Sequence, residues 1–448
     1  MARRNRADIF GDGLARWLRA DSAPIQGDSE ADSAPLAVYN RPSLLRAAHS
    51  RHESIIKFAM PDLAERMTAI QPFYVMEVLD RAKSLERDGH PVIHLELGEP
   101  DFPSPARIVD AGVSAIKHGH TGYTQATGLP GLREAINAGY PVSIRPGYER
   151  VLVTPGSSGA LQMVFAAIVD IGDEVLMADP NYPCNSNFVR LYGGRPVGVP
   201  VDASTNYHLT AELVERNWTA KTRVVLVTSP CNPTGTVIEP EQMRRLIEVT
   251  ERRGGVIVSD EIYHGLVYDA ECVSALAYSP DVFVVNSFSK YYGMTGWRLG
   301  WLVAPRRYTY ELTKLAQNLF ISPNTPAQYA ALSAFDPGVK SELEQRRLRF
   351  RDRRDYFVPA LRELGFRIPV LPQGAFYIYA DVSAFCDDSE AFALELLQQT
   401  YIGIAPGRDF GCHAPGRHVR FAYANDLANL KEAVSRMSAY LRARTDAH

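Results

Sequence analysis

The chain has 448 residues, of which 46% are hydrophobic and 22% are charged, as in an ordinary globular protein with one or two large domains. Its formal net charge of −3 gives no field that would favour nucleic acid or a membrane surface. The five cysteines are scattered and form no CxxC pair, and no apolar run is long enough to span a bilayer. We therefore expect a cytoplasmic protein without a secretory signal, a disulfide framework or a metal site.

The first 60 residues differ from the rest of the chain. The segment DSAPIQGDSEADSAPLAVYN is rich in Asp, Ser, Ala and Pro and lacks a hydrophobic period, which is typical of a flexible extension. ARWLRA is compatible with a short basic helix, although a frayed leader is the more ordinary interpretation. From about residue 62, the stretch LAERMTAIQPFYVMEVLDRAKSLERDG has helical spacing.

Short β-branched runs alternate with helical stretches between residues 150 and 305. The candidate strands are RVLVT (150–154), DEVLMA (173–178), RPVGVP (195–200), RVVLVTS (223–229), GVIVSD (255–260), VFVVNS (282–287) and LGWLVA (299–304). Several are continuously apolar, as expected for strands that are covered on both faces. The alternation predicts an α/β fold with a mainly parallel seven-stranded sheet sandwiched by helices.

The region after residue 306 has a different pattern. Long helices come first, followed by the strand candidates AFYIYADV and RHVRFAYA and a final helix near 427–443. This order predicts a second, smaller α+β domain.

Polar residues follow several of the predicted parallel strands, where open α/β sheets bind their ligands. Ser157 and Ser158 follow a strand and open a helix, which makes an anion site. Asn232 lies in a turn between Cys231 and Pro233. Asp260 ends an apolar strand, where a carboxylate is costly unless it is paired. Taken singly, each of these has an ordinary explanation as a helix cap, a turn or a solvated acid.

Lys290 lies in the segment NSFSKYYGMTGWRLG, with Ser287, Ser289 and Arg298 close to it in sequence. A free lysine has a pKa of about 10.4 and is a poor nucleophile at neutral pH. Cationic neighbours or imine formation make it reactive. The combination suits a ligand with a carbonyl for the lysine, a phosphate for the serines and arginine, and a basic nitrogen for Asp260. Pyridoxal 5′-phosphate has all three groups.

With these motifs the chain resembles the class I/II aminotransferases, which are fold-type I pyridoxal-phosphate enzymes. The resemblance covers roughly residues 62 to 445, and its most specific segment is SFSKYYGMTGWRLG. GEPDF, GYTQATGLPGLREAI, NPTGT, SDEIY and GRDFG…HVRFAYA support it. It implies a large cofactor-binding domain over 106–335 and a small domain built from 61–105 and 336–448. The extension over 1–60 lies outside the usual pattern of the family.

The resemblance implies catalytic roles for three residues. Lys290 is expected to form the imine with the cofactor and to move the substrate α-proton. Asp260 is expected to keep the pyridine nitrogen protonated, and Tyr263 to hydrogen-bond the 3′-oxygen of the ring.

Further contacts with cofactor and substrate are implied in the same way. Tyr182 is expected to stack on the ring, and Asn232 to contact the ring oxygen. The phosphate is expected to contact Ser157, Ser158, Ser287, Ser289 and Arg298. The substrate carboxylate is expected to contact Gly98, Asn232 and Arg420. Tyr123 is expected to reach the cofactor of a neighbouring subunit, which implies a homodimer.

The substrate side chain is expected near the stretch MTAIQPFYVMEVL, by the same resemblance. Phe73, Tyr74, Val75 and Met76 are apolar or aromatic here, whereas several aspartate-using relatives have Ser or Thr. We therefore expect a neutral amino donor, such as alanine or a larger apolar or aromatic amino acid. A 2-oxo acid is the expected acceptor, with ping-pong kinetics.

Two other functions stay open at this point. A lyase or synthase on the same fold, such as a C–S β-lyase, would retain Lys290, Asp260 and Arg420. A ligand-sensing regulator would need an N-terminal DNA-binding domain. Residues 1–60 are too short and too poor in periodic helices for one, and the chain is not basic.

Overall fold

The computed structural model describes residues 62–446, so the predicted flexible extension and its basic segment lie outside the described residues. From residue 63 onward the chain forms one compact unit. Its α-helices are α1 (Tyr74–Arg87), α2 (Ala106–Lys117), α3 (Pro130–Gly139), α4 (Gly156–Ile168), α5 (Pro183–Leu191), α6 (Ala211–Asn217), α7 (Pro240–Arg252), α8 (Thr309–Leu319), α9 (Thr325–Leu332), α10 (Pro337–Glu363), α11 (Ser389–Thr400) and α12 (Leu427–Asp446). Within the described residues, none of these helices is both long and apolar enough to cross a bilayer.

The strands fall into three sheets. They are β1 (Ile93–His94), β2 (Val151–Thr154), β3 (Glu174–Asp179), β4 (Arg195–Pro200), β5 (Thr222–Thr228), β6 (Val256–Asp260), β7 (Phe283–Ser287), β8 (Gly300–Val303), β9 (Tyr377–Asp381), β10 (Ile402–Gly403), β11 (Ala405–Pro406) and β12 (His418–Ala422). The main sheet has the order β2-β8-β7-β6-β5-β3-β4, and only β8 runs antiparallel to its neighbours. This confirms the predicted mainly parallel α/β sheet of seven strands.

Both faces of the main sheet are buried along its central strands, whereas the edge strand β4 is largely exposed. Along β6, Ile257 packs into one hydrophobic cluster, while Val256 and Val258 pack into a second. Successive side chains of a strand point to opposite faces, so a strand buried on both sides has no polar position to spare. This is why these strands were continuous apolar runs in the sequence. Helix α7 contributes to the first cluster, and helices α4 and α8 contribute to the second.

The carboxyl-terminal part of the chain forms a smaller α+β layer. Strands β11, β12 and β9 make an antiparallel sheet, and β1 pairs with β10 in parallel. Helices α10, α11 and α12 pack on these strands around a separate core that includes Phe357, Phe366 and Phe421. Strands β1, β10 and β11 are only two residues long, which is too short to leave a hydrophobic period in the sequence.

Candidate active site

A cavity of about 280 Å³ lies at the carboxyl ends of β5, β6 and β7, between the main sheet and the smaller layer. Parallel strands end at the same edge of a sheet, so residues that are distant in sequence meet there. Eleven residues that the sequence predicted for the site line this cavity: Gly98, Ser157, Ser158, Tyr182, Asn232, Asp260, Tyr263, Ser289, Lys290, Arg298 and Arg420.

Lys290 follows β7 and reaches across to the segment after β1. Its Nζ donates a hydrogen bond to the carbonyl oxygen of Gly98 at 2.6 Å. Burial, aided by the positive charges of Arg420 and Arg298, lowers the pKa of Lys290 to about 8. The amine is therefore much closer to its neutral, reactive form at physiological pH than a solvated lysine would be.

Asp260 is the last residue of β6 and is only 4% exposed. Its Oδ1 accepts a hydrogen bond from the Ile262 N–H at 3.1 Å. Among residues 62–446, the carboxylate forms no ion pair. Burial raises the pKa of Asp260 to about 7, and the neighbouring Glu261 carboxylate adds to this shift. A positively charged ring nitrogen in the cavity would restore the ionised form.

Arg420 lies in the middle of β12. Its neighbours Val419 and Phe421 pack into the core of the smaller layer, so the alternation of the strand turns Arg420 toward the cavity. The guanidinium donates from Nη1 to Asn232 Oδ1 at 3.0 Å and from Nη2 to the Glu96 carbonyl oxygen. Its Nε is buried and has no hydrogen-bond partner among the described residues. A buried donor without a partner is costly, so this nitrogen fits an anionic ligand.

The walls around Arg420 hold the guanidinium by stacking. Its central carbon lies 4.4 Å from the Tyr377 ring centroid and 4.9 Å from that of Phe410. These apolar faces exclude water from the guanidinium and strengthen its attraction for a carboxylate.

The opposite end of the cavity is built around the first turn of α4. Ser157 and Ser158 lie in this turn, and no side chain caps the helix at its N-terminus. The backbone N–H groups of a helix start carry partial positive charge and attract anions. Gly156 has φ +70°, and a Cβ there would lie 2.8 Å from Arg298 Nη2. The glycine therefore permits the close approach of the arginine to the helix start.

Arg298 and Ser289 complete this end of the cavity. Arg298 donates from Nη1 to the Thr295 carbonyl oxygen at 3.0 Å and lies 3.5 Å from Ser289 Oγ. The start of α4 is thus surrounded by three serine hydroxyl groups and one guanidinium, from Ser157, Ser158, Ser289 and Arg298. This set suits a doubly charged tetrahedral anion such as a phosphate ester.

Two predicted site residues do not line the cavity. Ser287 lies one layer behind the wall, where its hydroxyl is 2.9 Å from Ser289 Oγ and 3.0 Å from the Leu299 carbonyl oxygen. Tyr123 is 81% exposed and lies on the surface.

The expected substrate segment is only partly in the cavity. Phe73, Val75 and Met76 line it, but Tyr74 does not. The Tyr74 ring contacts the Arg408 guanidinium instead, with a distance of 5.3 Å from ring centroid to guanidinium carbon.

Other lining residues were not singled out by the sequence. They include Glu96, Thr228, Thr295, Tyr377, Asp409 and Phe410. Tyr377 was part of a predicted strand, where a buried aromatic residue is indistinguishable from ordinary core. Asp409 lies within GRDFG, a segment that carried the resemblance, but nothing in its sequence indicates that it faces a ligand.

Comparisons with known proteins agree with this geometry. Residues 90–437 match the family model for aminotransferases of class I and II. The chain is 37% identical over 388 residues to valine–pyruvate aminotransferase of Mycobacterium tuberculosis, covering 85% of this chain and 99% of that protein. It is 36% identical over 394 residues to aspartate aminotransferase of Geobacillus stearothermophilus, again covering 85% and 99%. The crystal structure of an aminotransferase from M. tuberculosis matches with a TM-score of 0.82 and 37% identity, over 86% of this chain and 100% of that one.

The cavity fits the cofactor that the sequence predicted. Pyridoxal 5′-phosphate presents a phosphate, a ring nitrogen and an aldehyde. The start of α4, with its hydroxyl and guanidinium groups, suits the phosphate. The buried Asp260, which has no ion pair among the described residues, suits the ring nitrogen, and Lys290 with its lowered pKa suits the aldehyde. The chain therefore belongs to the class I and II aminotransferase family and is a pyridoxal-phosphate-dependent aminotransferase with the fold-type I architecture.

Proposed function

We propose that the enzyme transfers the amino group of a neutral, apolar or aromatic L-amino acid to a 2-oxo acid. The observation that carries this proposal is the charge distribution of the cavity wall. Among the described lining residues, the lysines and arginines are Lys290, Arg298 and Arg420, and each has another proposed partner. None is left to neutralise a carboxylate on the substrate side chain.

The rest of the wall also favours a neutral side chain. Phe73, Val75 and Met76 supply an apolar surface. Asp409 lies in the same wall, where its two oxygens accept hydrogen bonds from the Tyr74 and Val75 N–H groups, and it offers no positive charge to an acidic substrate side chain. The relative named as a valine–pyruvate aminotransferase is consistent with this preference, although the relative named as an aspartate aminotransferase is nearly as similar.

The bound cofactor supplies a carbonyl that accepts the amino group and a ring that delocalises the charge left on the substrate α-carbon. Lys290 Nζ holds the carbonyl end and then acts as the base that takes the α-proton, which its lowered pKa favours. Arg420 holds the substrate carboxylate, with Nε as a free donor, and thereby fixes which bond faces Lys290.

The other predicted residues orient the cofactor in this proposal. Asp260 pairs with the ring nitrogen, Tyr263 and Asn232 donate to the ring oxygen, and Tyr182 packs on the ring. The phosphate contacts Ser157, Ser158, Ser289 and Arg298. Because Ser287 lies behind the wall, we propose that it holds Ser289 in place and does not contact the phosphate itself.

We also propose a homodimer in which Tyr123 contacts the cofactor of the second subunit. Tyr123 lies on the surface, and Val109, Val113 and Ile116 of α2 expose a further apolar stripe. An exposed apolar stripe of this kind is typical of an interface. The division into a large domain at 106–335 and a small domain from 61–105 and 336–448 is proposed with it, and the cytoplasmic location stays a prediction.

Steady-state kinetics with a panel of amino donors tests the substrate proposal. Alanine, valine, phenylalanine, aspartate and glutamate are compared with one 2-oxo acid acceptor. We expect the best neutral donor to exceed aspartate in kcat/KM by at least about tenfold, because an unpaired buried carboxylate costs more than 1.4 kcal/mol. Double-reciprocal plots should be parallel, as for two separate half-reactions. Aspartate as the best donor would contradict the substrate proposal, but not the family assignment.

The relatives matched over nearly their whole length are named as aminotransferases. This favours amino transfer over the β-lyase and regulator alternatives.

A further inference from the structure

Tyr377 occupies a central place in the cavity without a role in the proposal so far. It lies at the start of β9, is 1% exposed, and lines the cavity. Its hydroxyl oxygen lies 2.8 Å from the hydroxyl oxygen of Tyr263, and the two rings meet edge to face. Its ring lies against the Arg420 guanidinium. One side chain therefore contacts both the residue proposed for the ring oxygen and the residue proposed for the substrate carboxylate.

The Tyr377 hydroxyl also has a close neighbour in the segment that holds Lys290. A Cβ on Gly98 would lie 2.4 Å from the Tyr377 hydroxyl oxygen, so a larger residue there would displace the hydroxyl. The carbonyl oxygen of the same Gly98 accepts the hydrogen bond from Lys290 Nζ. The position of the Tyr377 hydroxyl is thus fixed by backbone on one side and by Tyr263 on the other.

The direction of the hydrogen bond between the two tyrosines follows from counting hydrogens. Each hydroxyl has one hydrogen to donate and can also accept. If Tyr263 donates its hydrogen to the ring oxygen of the cofactor, it can only accept from Tyr377. Tyr377 is then the donor of the pair, and its bond polarises Tyr263 and strengthens the second bond in the chain.

We propose that Tyr377 is a positioning residue, which donates its hydroxyl hydrogen to Tyr263 and so aims the Tyr263 O–H at the 3′-oxygen of the cofactor. The inference rests on the proposed role of Tyr263. It adds a residue that tunes the cofactor through another side chain, without contacting the reacting atoms.

The test is a spectroscopic pH titration of the bound cofactor in the holoenzyme. A hydrogen bond to the ring oxygen stabilises its negative charge, and so favours the form of the bound cofactor that dominates at high pH. Tyr263→Phe removes that bond and should raise the midpoint of the absorbance change. Tyr377→Phe should raise it in the same direction by a smaller amount, about 0.5 unit, since it only weakens the bond.

The double variant separates a direct effect from one that acts through Tyr263. Because Tyr377 acts only on Tyr263, the variant with both substitutions should titrate like Tyr263→Phe alone. Tyr379→Phe is the matched control. It removes a buried tyrosine hydroxyl from the same strand, but Tyr379 packs against Tyr207, His418 and the ring of Phe410, and does not itself line the cavity. Its midpoint should equal that of the unaltered enzyme.

A purely structural role would look different. Tyr377→Phe keeps the ring against Arg420 and removes only the hydroxyl, so we expect the KM for the amino donor to change by no more than about twofold while the cofactor titration shifts. Thermal midpoints of the Tyr377 and Tyr379 variants show whether both fold equally well. An unchanged titration in Tyr377→Phe, beside a shifted one in Tyr263→Phe, overturns the inference and leaves the proposed function standing. An unchanged titration in Tyr263→Phe overturns the role of Tyr263 itself, and the inference with it.

Discussion

Lys290 and Asp260 share one cavity, and their surroundings shift their pKa values in opposite directions. Burial and two guanidinium groups lower the pKa of the Lys290 amine to about 8. Burial and the Glu261 carboxylate raise the pKa of the Asp260 carboxyl to about 7. Opposed shifts of this kind are typical of sites that move protons. The role of each residue can be tested by its own substitution.

Lys290→Ala should lower kcat with the best amino donor by at least about 10²-fold, because the base is lost from the reacting carbon. The measurement is steady-state turnover with saturating cofactor. Lys314→Ala is the control, since Lys314 is exposed and pairs with Glu311 on α8. Normal turnover in Lys290→Ala would contradict the assignment of the active site.

Asp260 should make the stability of the cofactor-free protein depend on pH. Its folded pKa of about 7 lies above the ordinary value of 3.8, so between these values the folded chain holds a proton that the unfolded chain has lost. The contribution of Asp260 to stability is therefore present below about pH 4 and is lost as the pH rises through 7. Urea unfolding of the cofactor-free protein from pH 4 to 8 should show Asp260→Asn gaining stability relative to the unaltered chain as the pH rises. A constant difference over this range would contradict the shift.

Arg420→Lys should raise the KM for the amino donor by about 10- to 100-fold, with a smaller change in kcat. A lysine cannot reproduce the fork of the guanidinium, and a charge-assisted hydrogen bond contributes about 1.5–3 kcal/mol. Arg417→Lys, three residues away and exposed, is the matched control and should leave KM unchanged. Equal KM values for the two variants would remove Arg420 from substrate binding.

At the scale of elements, α1 is held at its start by a residue 335 positions away. The two oxygens of Asp409 accept hydrogen bonds from the Tyr74 and Val75 N–H groups, each at 2.7 Å. Tyr74 and Val75 open the helix, and Phe73, Val75 and Met76 line the cavity. The cap therefore fixes the apolar wall that we propose to contact the substrate side chain.

Asp409→Ala should lower the free energy of unfolding by about 1–2 kcal/mol and also weaken binding of the amino donor. Asp426→Ala is the control, because Asp426 accepts from the Asn429 N–H at 2.7 Å in the first turn of α12 and does not line the cavity. It should lose stability without a change in KM. The two effects are measured by urea unfolding and by donor titration. An unchanged KM in Asp409→Ala would contradict the prediction that the cap contributes to binding of the amino donor.

The elements also show what could be predicted from the sequence. The seven strands of the main sheet were found within one or two residues. Six of them are mostly buried on both faces and leave apolar runs in the sequence, whereas the edge strand β4 is largely exposed. The cap on α1 could not be found, since it joins segments that no local period connects. Tyr377 was missed for a similar reason: its burial is ordinary, and only the fold brings it to Tyr263. Lys290 was found from its own segment and Arg420 through the resemblance, and the backbone then explained why they meet.

At the scale of the whole molecule, the proposed homodimer predicts complementation between two damaged subunits. A dimer of Lys290→Ala lacks the base in both sites, and a dimer of Tyr123→Ala lacks the contact from across the interface in both. In a mixed dimer, one site has an intact Lys290 and receives Tyr123 from the other subunit. Refolding the two variants together should therefore restore activity above that of either variant alone. Activity equal to the average of the separate variants would contradict the shared site.

The most direct test of the account is a single-turnover experiment without a 2-oxo acid acceptor. The holoenzyme is mixed with each amino acid in turn, and the absorbance of the bound cofactor and the released products are followed together. We predict one equivalent of 2-oxo acid per active site, fastest with a neutral apolar or aromatic amino acid, after which the reaction stops until an acceptor is added. Continued release of ammonia and 2-oxo acid over many turnovers would contradict amino transfer and indicate an elimination reaction.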